Sequence, residues 1–379
     1  MNTVDVSVQL DDPTNLAILR IAEDQLTGFQ RDPFGEIARL SRVPLPIVLE
    51  RISAMLRAGT IRRVRQTLMA TNLAPGALVA WRVPPARLDA AFDYMFQQDP
   101  FSGHVVLRST DGATTGSQYR LWTTLKVPQS FSLEKHASFL ARQTGAESFR
   151  LMPAKRLFAL GVGHMRRRGI EPGSRAEVPA DVIDTNVVEL SDLEWTVLTV
   201  LKRELTEHEI AGDPWPARAA EAGVSTETFC TVADELNRRG VIGRFSTFLE
   251  HVKPLADGQR VTRYNALFHW TVPPGREIDA GREVGRHHIM THAYWREGGP
   301  EFGGVNVMGV AHGLDKALLL EHKRAIDAHL LEARIPTGYT NVFWGGRSEI
   351  KPSEVSPLAY RTWCQENGLD PDTMRPDRA

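Results

Sequence analysis

A duplication inside the chain limits what it can fold into. The stretch LRAGTIRRVRQTLMATNLAPGALVAWRVP, from Leu56 to Pro84, returns as LNRRGVIGRFSTFLEHVKPLADGQRVTRYNALFHWTVP, from Leu236 to Pro273. Gly59 answers to Gly240, Ile61 to Ile242, Arg63 to Arg244 and Trp81 to Trp270. A His-x-x-x-Arg pair follows each tryptophan, His104 with Arg108 and then His292 with Arg296. A repeat of this length is a duplicated domain rather than one turn of a solenoid, and 379 residues fit roughly two to four domains.

Each half opens with helical spacing of apolar residues: NLAILRIAEDQL, PFGEIARLSRV and PLPIVLERISAMLRAG, then LEWTVLTVLKREL, WPARAAEAGV and STETFCTVADELNRRG. Gly59 suits a helix C-cap, and Ser225 an N-cap with Glu227 in the first turn. Three short helices followed by GxIxR and a β-like run read as a winged helix-turn-helix. After each wing the patterning alternates as β-α-β-β-α-β, the order of a ferredoxin-like split βαβ motif. The expected fold class is therefore α+β: two tandem repeats, each a winged helix-turn-helix plus a ferredoxin-like βαββαβ domain. The expected segments are winged domains over 10–72 and 187–252 and ferredoxin-like domains over 75–168 and 262–350. A Pro/Gly/charge-rich linker covers 169–186, and a tail covers 351–379, with a helix around Ala359–Asn367 and disorder beyond Pro371.

A helix-turn-helix suggests DNA, and the residues argue against it. The start of the presumed recognition helix is Val43-Pro44-Leu45-Pro46-Ile47-Val48-Leu49 in one half, which offers no hydrogen bond to a base edge. In the other half it is Ser225-Thr226-Glu227-Thr228-Phe229, whose acid repels phosphate. A net charge of −1 supplies no global attraction to nucleic acid or an anionic membrane. No apolar run approaches the roughly 20 residues that span a bilayer, and no secretory signal is read at the N-terminus, so the expected location is the cytoplasm. Cys230 and Cys364 lie far apart without CxxC spacing, which speaks against a disulfide framework or a cysteine metal site. No GxGxxG, P-loop, HExxH or GxSxG motif occurs.

The chemistry concentrates on two strands. Residues i, i+2 and i+4 of a strand share a face. His292, Tyr294 and Arg296 therefore lie together, as do His104, Val106 and Arg108, with the apolar set (Ala293, Trp295; Val105, Leu107) turned under the helices. Four residues of strand cover about 13 Å, comparable with the width of a tetrapyrrole. An imidazole and a carboxylate-gripping guanidinium at that spacing could serve such a molecule; the alternative is a solvent-facing strand decorated with polar residues, and recurrence of the pair in both halves favours the first reading.

These strands resemble the siroheme decarboxylases of the alternative and d-type haem pathways, a branch of the Lrp/AsnC-like proteins. One subunit type of that family carries H-N-Y-x-R followed by Y-N-L-W-F-T-L. Here His104-Val-Val-Leu-Arg108 precedes Tyr119-Arg-Leu-Trp122-Thr-Thr-Leu125. The other type carries H-C-Y-x-R-P, P-D-W-P and Y-N-L-F-x-M-V-H-G. Here His292-Ala-Tyr294-Trp-Arg296 precedes Pro300-Glu301-Phe302 and Asn306-Val-Met308-Gly-Val-Ala-His312-Gly313. The chain resembles a fusion of the two types. It departs from them at Val106, where a tyrosine is lost, and at Glu297, where the second type has proline.

The resemblance implies decarboxylation of ring acetates of siroheme or a close iron tetrapyrrole. The alternatives are a non-catalytic haem- or tetrapyrrole-binding protein and an Lrp/AsnC-type regulator. It implies His292 as general acid or iron-facing ligand, Tyr294 as proton relay and Arg296 as carboxylate clamp. His104 and Arg108 are the counterparts in the first half, with His104, like His292, a haem-iron ligand in the alternative role. His312 is expected to reach the same pocket, and Arg63 and Arg244 either bridge domains or reach propionates. No cofactor is expected beyond the iron tetrapyrrole itself. Homo-oligomers and partner enzymes of the haem pathway stay open, as does whether one or both halves act.

Overall fold

The computed structural model describes residues 6–161, 163–210, 212–251 and 253–377. In chain order its strands are β1 (Leu26–Thr27), β2 (Ile61–Leu68), β3 (Gly76–Arg82), β4 (Ser102–Ser109), β5 (Leu121–Lys126), β6 (Ser148–Leu160), β7 (Ile242–Leu249), β8 (Tyr264–Trp270), β9 (Met290–Arg296), β10 (Val307–Gly313) and β11 (Thr340–Ile350). They divide between two compact units. One unit gathers the chain up to Met69, the segment ending at Arg168, and Val188–Thr262; the other holds Ala70–Gly161, Gly169–Val187 and Arg263 onward.

In the first unit the helices form where caps stand ready. Asp12 and Asp32 cap Pro13–Ala22 and Pro33–Ser41, each with proline in the first turn. Ser191 and Glu194 make a capping box before Asp192–Leu201, and Ser225 accepts from the Thr228 N–H at the head of Thr226–Arg238. The repeated glycines end the helix before the β-strand in each half: Gly59 (φ 76°) follows Leu45–Arg57 and Gly240 (φ 71°) follows Thr226–Arg238. Only glycine adopts this left-handed conformation without strain. The wings are not separate. β2 of the first half pairs antiparallel with β7 of the second, and the sheet runs β1-β7-β2. The two winged regions expected over 10–72 and 187–252 thus share one sheet and one compact unit.

The second unit is a closed eight-stranded barrel, β10-β8-β11-β4-β5-β3-β6-β9. Each half contributes four strands in the spatial order of a split βαβ unit, β4-β5-β3-β6 and β9-β10-β8-β11. The edges meet in antiparallel pairs, β6 with β9 and β4 with β11. Closure leaves no unpaired edge. The helices Leu88–Gln97 and Leu133–Thr144 pack on one face of the first four strands; Glu277–Gly285 and Lys316–Glu332 do the same in the second half.

Alternation along each strand sorts the side chains. Val79, Trp81, Val105, Leu121 and Leu125 join the helix-side core of the first half, and Ala266, Phe268, Trp270, Ala293 and Val307 that of the second. Both tryptophans are fully buried; Trp81 Nε1 donates to Thr123 Oγ1 at 3.0 Å and Trp270 Nε1 to Asp327 Oδ1 at 2.6 Å. The opposite faces of the strands turn inward, and Ala80, Val106, Trp122, Met152, Leu267, Met308 and Phe343 form a third core there with Tyr119, Phe302 and Val305.

Two expectations change. The presumed linker over 169–186 pairs with the barrel through Leu157↔Ile183 and Arg175↔His287. Its turn-forming composition is compatible with extended backbone held by single bridges. The tail is ordered as well. Pro357–Glu366 is a helix, and its Tyr360, Trp363 and Cys364, together with Met374, are buried in the helix-side core of the first half. Pro371–Met374 forms a 3₁₀ turn whose Met374 carbonyl accepts from the Ser132 N–H at 2.8 Å. Only Arg378 and Ala379 of the segment expected to be disordered lie outside the described residues.

Candidate functional site

Strand direction gathers the His/Arg residues. All neighbouring barrel strands are antiparallel, so β3, β4, β8 and β9 run one way and β5, β6, β10 and β11 the other. His104 and His292 stand near the starts of β4 and β9, whereas His312 and Lys126 stand near the ends of β10 and β5. All four therefore belong to the same end of the barrel, on the inward alternation shared with Val106, Trp122 and Met308. Each keeps partial exposure. The aromatic cluster of Trp122, Phe302 and Phe343 (ring centroids 5.2–6.0 Å apart) fills the interior toward the starts of β5 and β10.

In the second half the expected triad is in contact along its strand. The His292 and Tyr294 rings stack at 5.9 Å, and the Arg296 guanidinium lies 4.4 Å over the Tyr294 ring. In the first half Val106 stands in the tyrosine's place and packs into the apolar interior. His104 meets Ser348 Oγ at 2.8 Å, and its backbone N–H donates to Thr124 Oγ1 at 2.9 Å.

The two arginines occupy equivalent positions. Arg108 Nη1 donates to the Phe343 carbonyl at 3.2 Å, and Arg296 Nη1 donates to the Met152 carbonyl. Phe343 and Met152 hold the same register in the two halves, opposite Leu267 and Leu78. Both guanidinium groups are at least nine-tenths buried, and the Nε of each lacks a hydrogen-bond partner. Burial pushes Arg108 down to about 10 and lowers Arg296 as well. Among the described residues no carboxylate pairs with either. Glu297, next in sequence to Arg296, accepts from Lys155 and from Trp295 Nε1, both at 2.9 Å, so it turns with Trp295 away from Arg296.

A hydrogen-bonded chain links the halves. Arg108 Nη1 donates to Asn265 Oδ1 at 3.2 Å, which leaves the Asn265 amide N–H to donate to His312 Nε2 at 3.0 Å. His312 Nδ1–H then donates to Thr291 Oγ1 at 3.3 Å, whose own hydrogen goes to the Val310 carbonyl at 2.9 Å. His292 Nδ1 lies 3.1 Å from the same oxygen. With the threonine hydrogen committed, His292 Nδ1–H is the donor. His312 thus stands in the same hydrogen-bonded chain as His292. Asn265, Thr291 and Lys126 were missed; the alternation of YRLWTTLK, which puts Trp122, Thr124 and Lys126 on one face, is the signal for the last. His269 is a further inward residue, fully buried among Trp122, Phe302 and Phe343 with neither ring nitrogen bonded; burial pushes it down to about 3, so it is neutral.

Arg63 and Arg244 do not lie on barrel strands. They sit on β2 and β7 of the first unit, where Arg63 pairs with Glu204 at 3.1 Å and the Arg244 N–H donates to Thr67 Oγ1 at 2.8 Å. The Arg63–Glu204 pair joins residues of the two winged regions. Arg31 likewise pairs with Glu227 at 3.3 Å and Asp234 at 2.8 Å, and Arg57 with Glu207 at 3.5 Å. Among the described residues no helix is long and apolar enough to cross a membrane, and no group of three or more His, Cys, Asp or Glu could hold a metal ion.

Residues 74–159, the first four barrel strands, match the AsnC-like ligand binding domain family. The siroheme decarboxylase beta subunit of Oleidesulfovibrio alaskensis is 24% identical over 106 residues, 28% of this chain and 61% of that protein, so the match spans less than two thirds of this relative. The beta subunit of Desulfovibrio desulfuricans is 24% identical over 129 residues, 34% of this chain and 76% of that protein. The crystal structure of the siroheme decarboxylase NirDL superposes with a TM-score of 0.64 at 17% identity, over 94% of this chain and 99% of that one. Its co-complex with an iron-uroporphyrin III analogue gives 0.63 at 17% identity, over 93% and 98%. At such identity the structural likeness concerns the fold. The chain therefore carries an AsnC-like ligand-binding domain and is similar, in sequence and in fold, to siroheme decarboxylases.

Proposed function

We propose that the histidine-bearing end of the barrel binds siroheme or a close iron tetrapyrrole and decarboxylates its ring acetates, a step of haem or d-type haem formation. The observation that carries this reading is the pair Arg108 and Arg296, both buried and, among the described residues, without a carboxylate partner. A buried unpaired cation is costly, and a ligand rich in carboxylates offsets that cost through charge-assisted hydrogen bonds. The co-complex of NirDL with an iron-uroporphyrin analogue supports the same ligand class.

Loss of CO2 breaks the bond between the carboxylate carbon and the methylene, and the electron pair passes into the adjacent pyrrole. A proton then arrives at the methylene and leaves a methyl group. Arginine holds carboxylates but cannot supply that proton. Histidine suits the task near neutral pH. With Nδ1–H held by Thr291, His292 delivers from Nε2, and the stacked Tyr294 phenol, its pKa raised by burial, stays protonated for relay. A reacting acetate that is buried in the barrel without an arginine partner is raised in energy relative to neutral CO2 by loss of water.

Anaerobic incubation of the full chain with siroheme, followed by mass spectrometry, tests this. Products lighter by one and two CO2 are expected. Binding with a Soret change but no CO2 loss leaves a tetrapyrrole carrier; neither binding nor CO2 loss overturns the reading.

A further inference from the structure

The two halves of the barrel differ where their register makes them equivalent. Trp122 pairs with Val106 and with Ala80; Met308 pairs with Tyr294 and with His269. Four residues further along each strand stand Lys126 and His312, and opposite them Gly76 and, one step from the strand end, Asn265. In the second half Asn265 links His312 to Arg108. In the first half Gly76 takes the place of Asn265, and Lys126 lies across it: a Cβ on Gly76 would meet Lys126 Cγ at 2.9 Å and Nζ at 3.3 Å. The asparagine bridge is thereby replaced by a second cation.

We propose that Lys126 and Arg296 together hold one carboxylate of the tetrapyrrole, and that this ammonium–guanidinium subsite, unlike the Asn265–His312 pair at the equivalent place in the other half, sets which way the macrocycle lies. The proposal rests on the tetrapyrrole reading above. Lys126 faces inward, and the ladder register brings Arg296 to its level: Gly76 pairs with Lys126, the next residue Ala77 with Pro153, and Ala154 with Arg296. Among the described residues no carboxylate acts on Lys126, and burial together with the like charge of Arg296 pushes its ammonium down to about 8. Titratable groups that face the same end include His104 of the neighbouring β4, Tyr294 beside Arg296, His292 stacked on that tyrosine, and His312 of β10. Two adjacent cations without an anion repel each other, and a shared carboxylate turns that repulsion into attraction. A pseudo-symmetric barrel presents two nearly equal orientations to a flat ligand, and unequal subsites favour one of them.

The sign of the pH effect follows. Because the folded ammonium is pushed down to about 8 from its ordinary value of 10.5, the cation opposes folding fully below pH 8 and ceases to do so above about 10.5. Replacing it with an uncharged chain of similar length therefore stabilises the ligand-free protein at neutral pH. Carboxylate binding, in contrast, needs the charge and weakens in the parent as pH rises through about 8.

The full chain, with Lys126→Met and Lys126→Arg variants, is titrated with iron uroporphyrin III between pH 6.5 and 9.5 by absorption spectroscopy, and thermal unfolding is followed without ligand. The Lys126→Met protein is expected to bind about tenfold to a hundredfold more weakly at neutral pH, the range for one charge-assisted hydrogen bond. It should lose the affinity step near pH 8 and unfold at a higher temperature than the parent. Lys126→Arg is expected to bind strongly with no step. Parent-like affinity with the step intact in Lys126→Met, or a lower unfolding temperature without ligand, overturns the proposal. If Lys126→Met does not fold, a step near pH 8 that persists in Lys126→Arg overturns it. A parent that releases CO2 while Lys126→Met binds equally well removes this subsite alone; a parent that binds no tetrapyrrole removes the functional reading with it.

Discussion

Arg296 and His292 stand four residues apart on one strand, yet their chemistry assigns them different tasks. Arg296 stays charged and grips carboxylates in a planar fork, so Arg296→Lys keeps a charge and loses the fork. The affinity for siroheme, read by titration, should fall about tenfold to a hundredfold, corresponding to roughly 1.5–3 kcal/mol. Unchanged affinity would remove the clamp assignment. His292→Ala should bind siroheme nearly as well and release no CO2. His104→Ala should retain a measurable fraction of turnover, because His104 is held by Ser348 and has Val106 rather than a tyrosine two residues on. Equal loss in both, measured by mass spectrometry, would mean that the two rings serve one shared reaction, which their placement at the same barrel end permits. The pairing of His with Arg on each strand was legible from the period-2 alternation. Asn265 and Thr291 were not, because their importance comes from partners 47 and 157 residues distant for Asn265 and 19 and 21 residues distant for Thr291.

Among the elements, the C-terminal helix Pro357–Glu366 shows how weak periodicity hides a strong anchor. Its Tyr360 hydroxyl lies 3.0 Å from His136 Nδ1, whose Nε2 reaches Asp99 at 3.3 Å, with all three residues fully buried. Trp363 packs against Phe101, Phe139 and the His136 ring at 4.6–5.6 Å. The helix supplies only Tyr360, Trp363 and Cys364 to the core, too few for a clear stripe, so the sequence reads as a tail. Trp363→Ala should cost about 3–5 kcal/mol by opening a cavity. Tyr360→Phe should cost about 1–3 kcal/mol by orphaning a buried histidine nitrogen. Denaturant unfolding measures both; a loss below about 0.5 kcal/mol for Trp363→Ala would show that the helix is only loosely docked.

At the scale of the molecule, every sheet is shared between the halves. β2 pairs with β7 in one unit, and β6 with β9 and β4 with β11 in the other. A half produced alone, residues 1–168 or 169–379, exposes three of these edges, and long unpaired edges aggregate. Neither half should give a folded monomer by circular dichroism and size-exclusion chromatography, whereas co-expression should restore a complex that binds siroheme. A stable monomeric half would contradict this interlocking. The DNA-regulator alternative has a check at the same scale. The recognition-helix starts lack base-reading side chains, and Arg31, Arg57 and Arg63 are spent on carboxylates of the same unit, so a gel shift at physiological salt should show only weak, unselective binding. The duplication, the element types, the face on which each histidine and arginine lies and the likeness to an Lrp/AsnC-type decarboxylase were all determined by the chain itself, since alternation and capping act over a few residues. That the two open faces join into one barrel, with His104, Lys126, His292 and His312 at a single end, was decided only by the pairing of edge strands. Backbone hydrogen bonds make that pairing and are the same for every side chain, so they leave no mark in the order of residues.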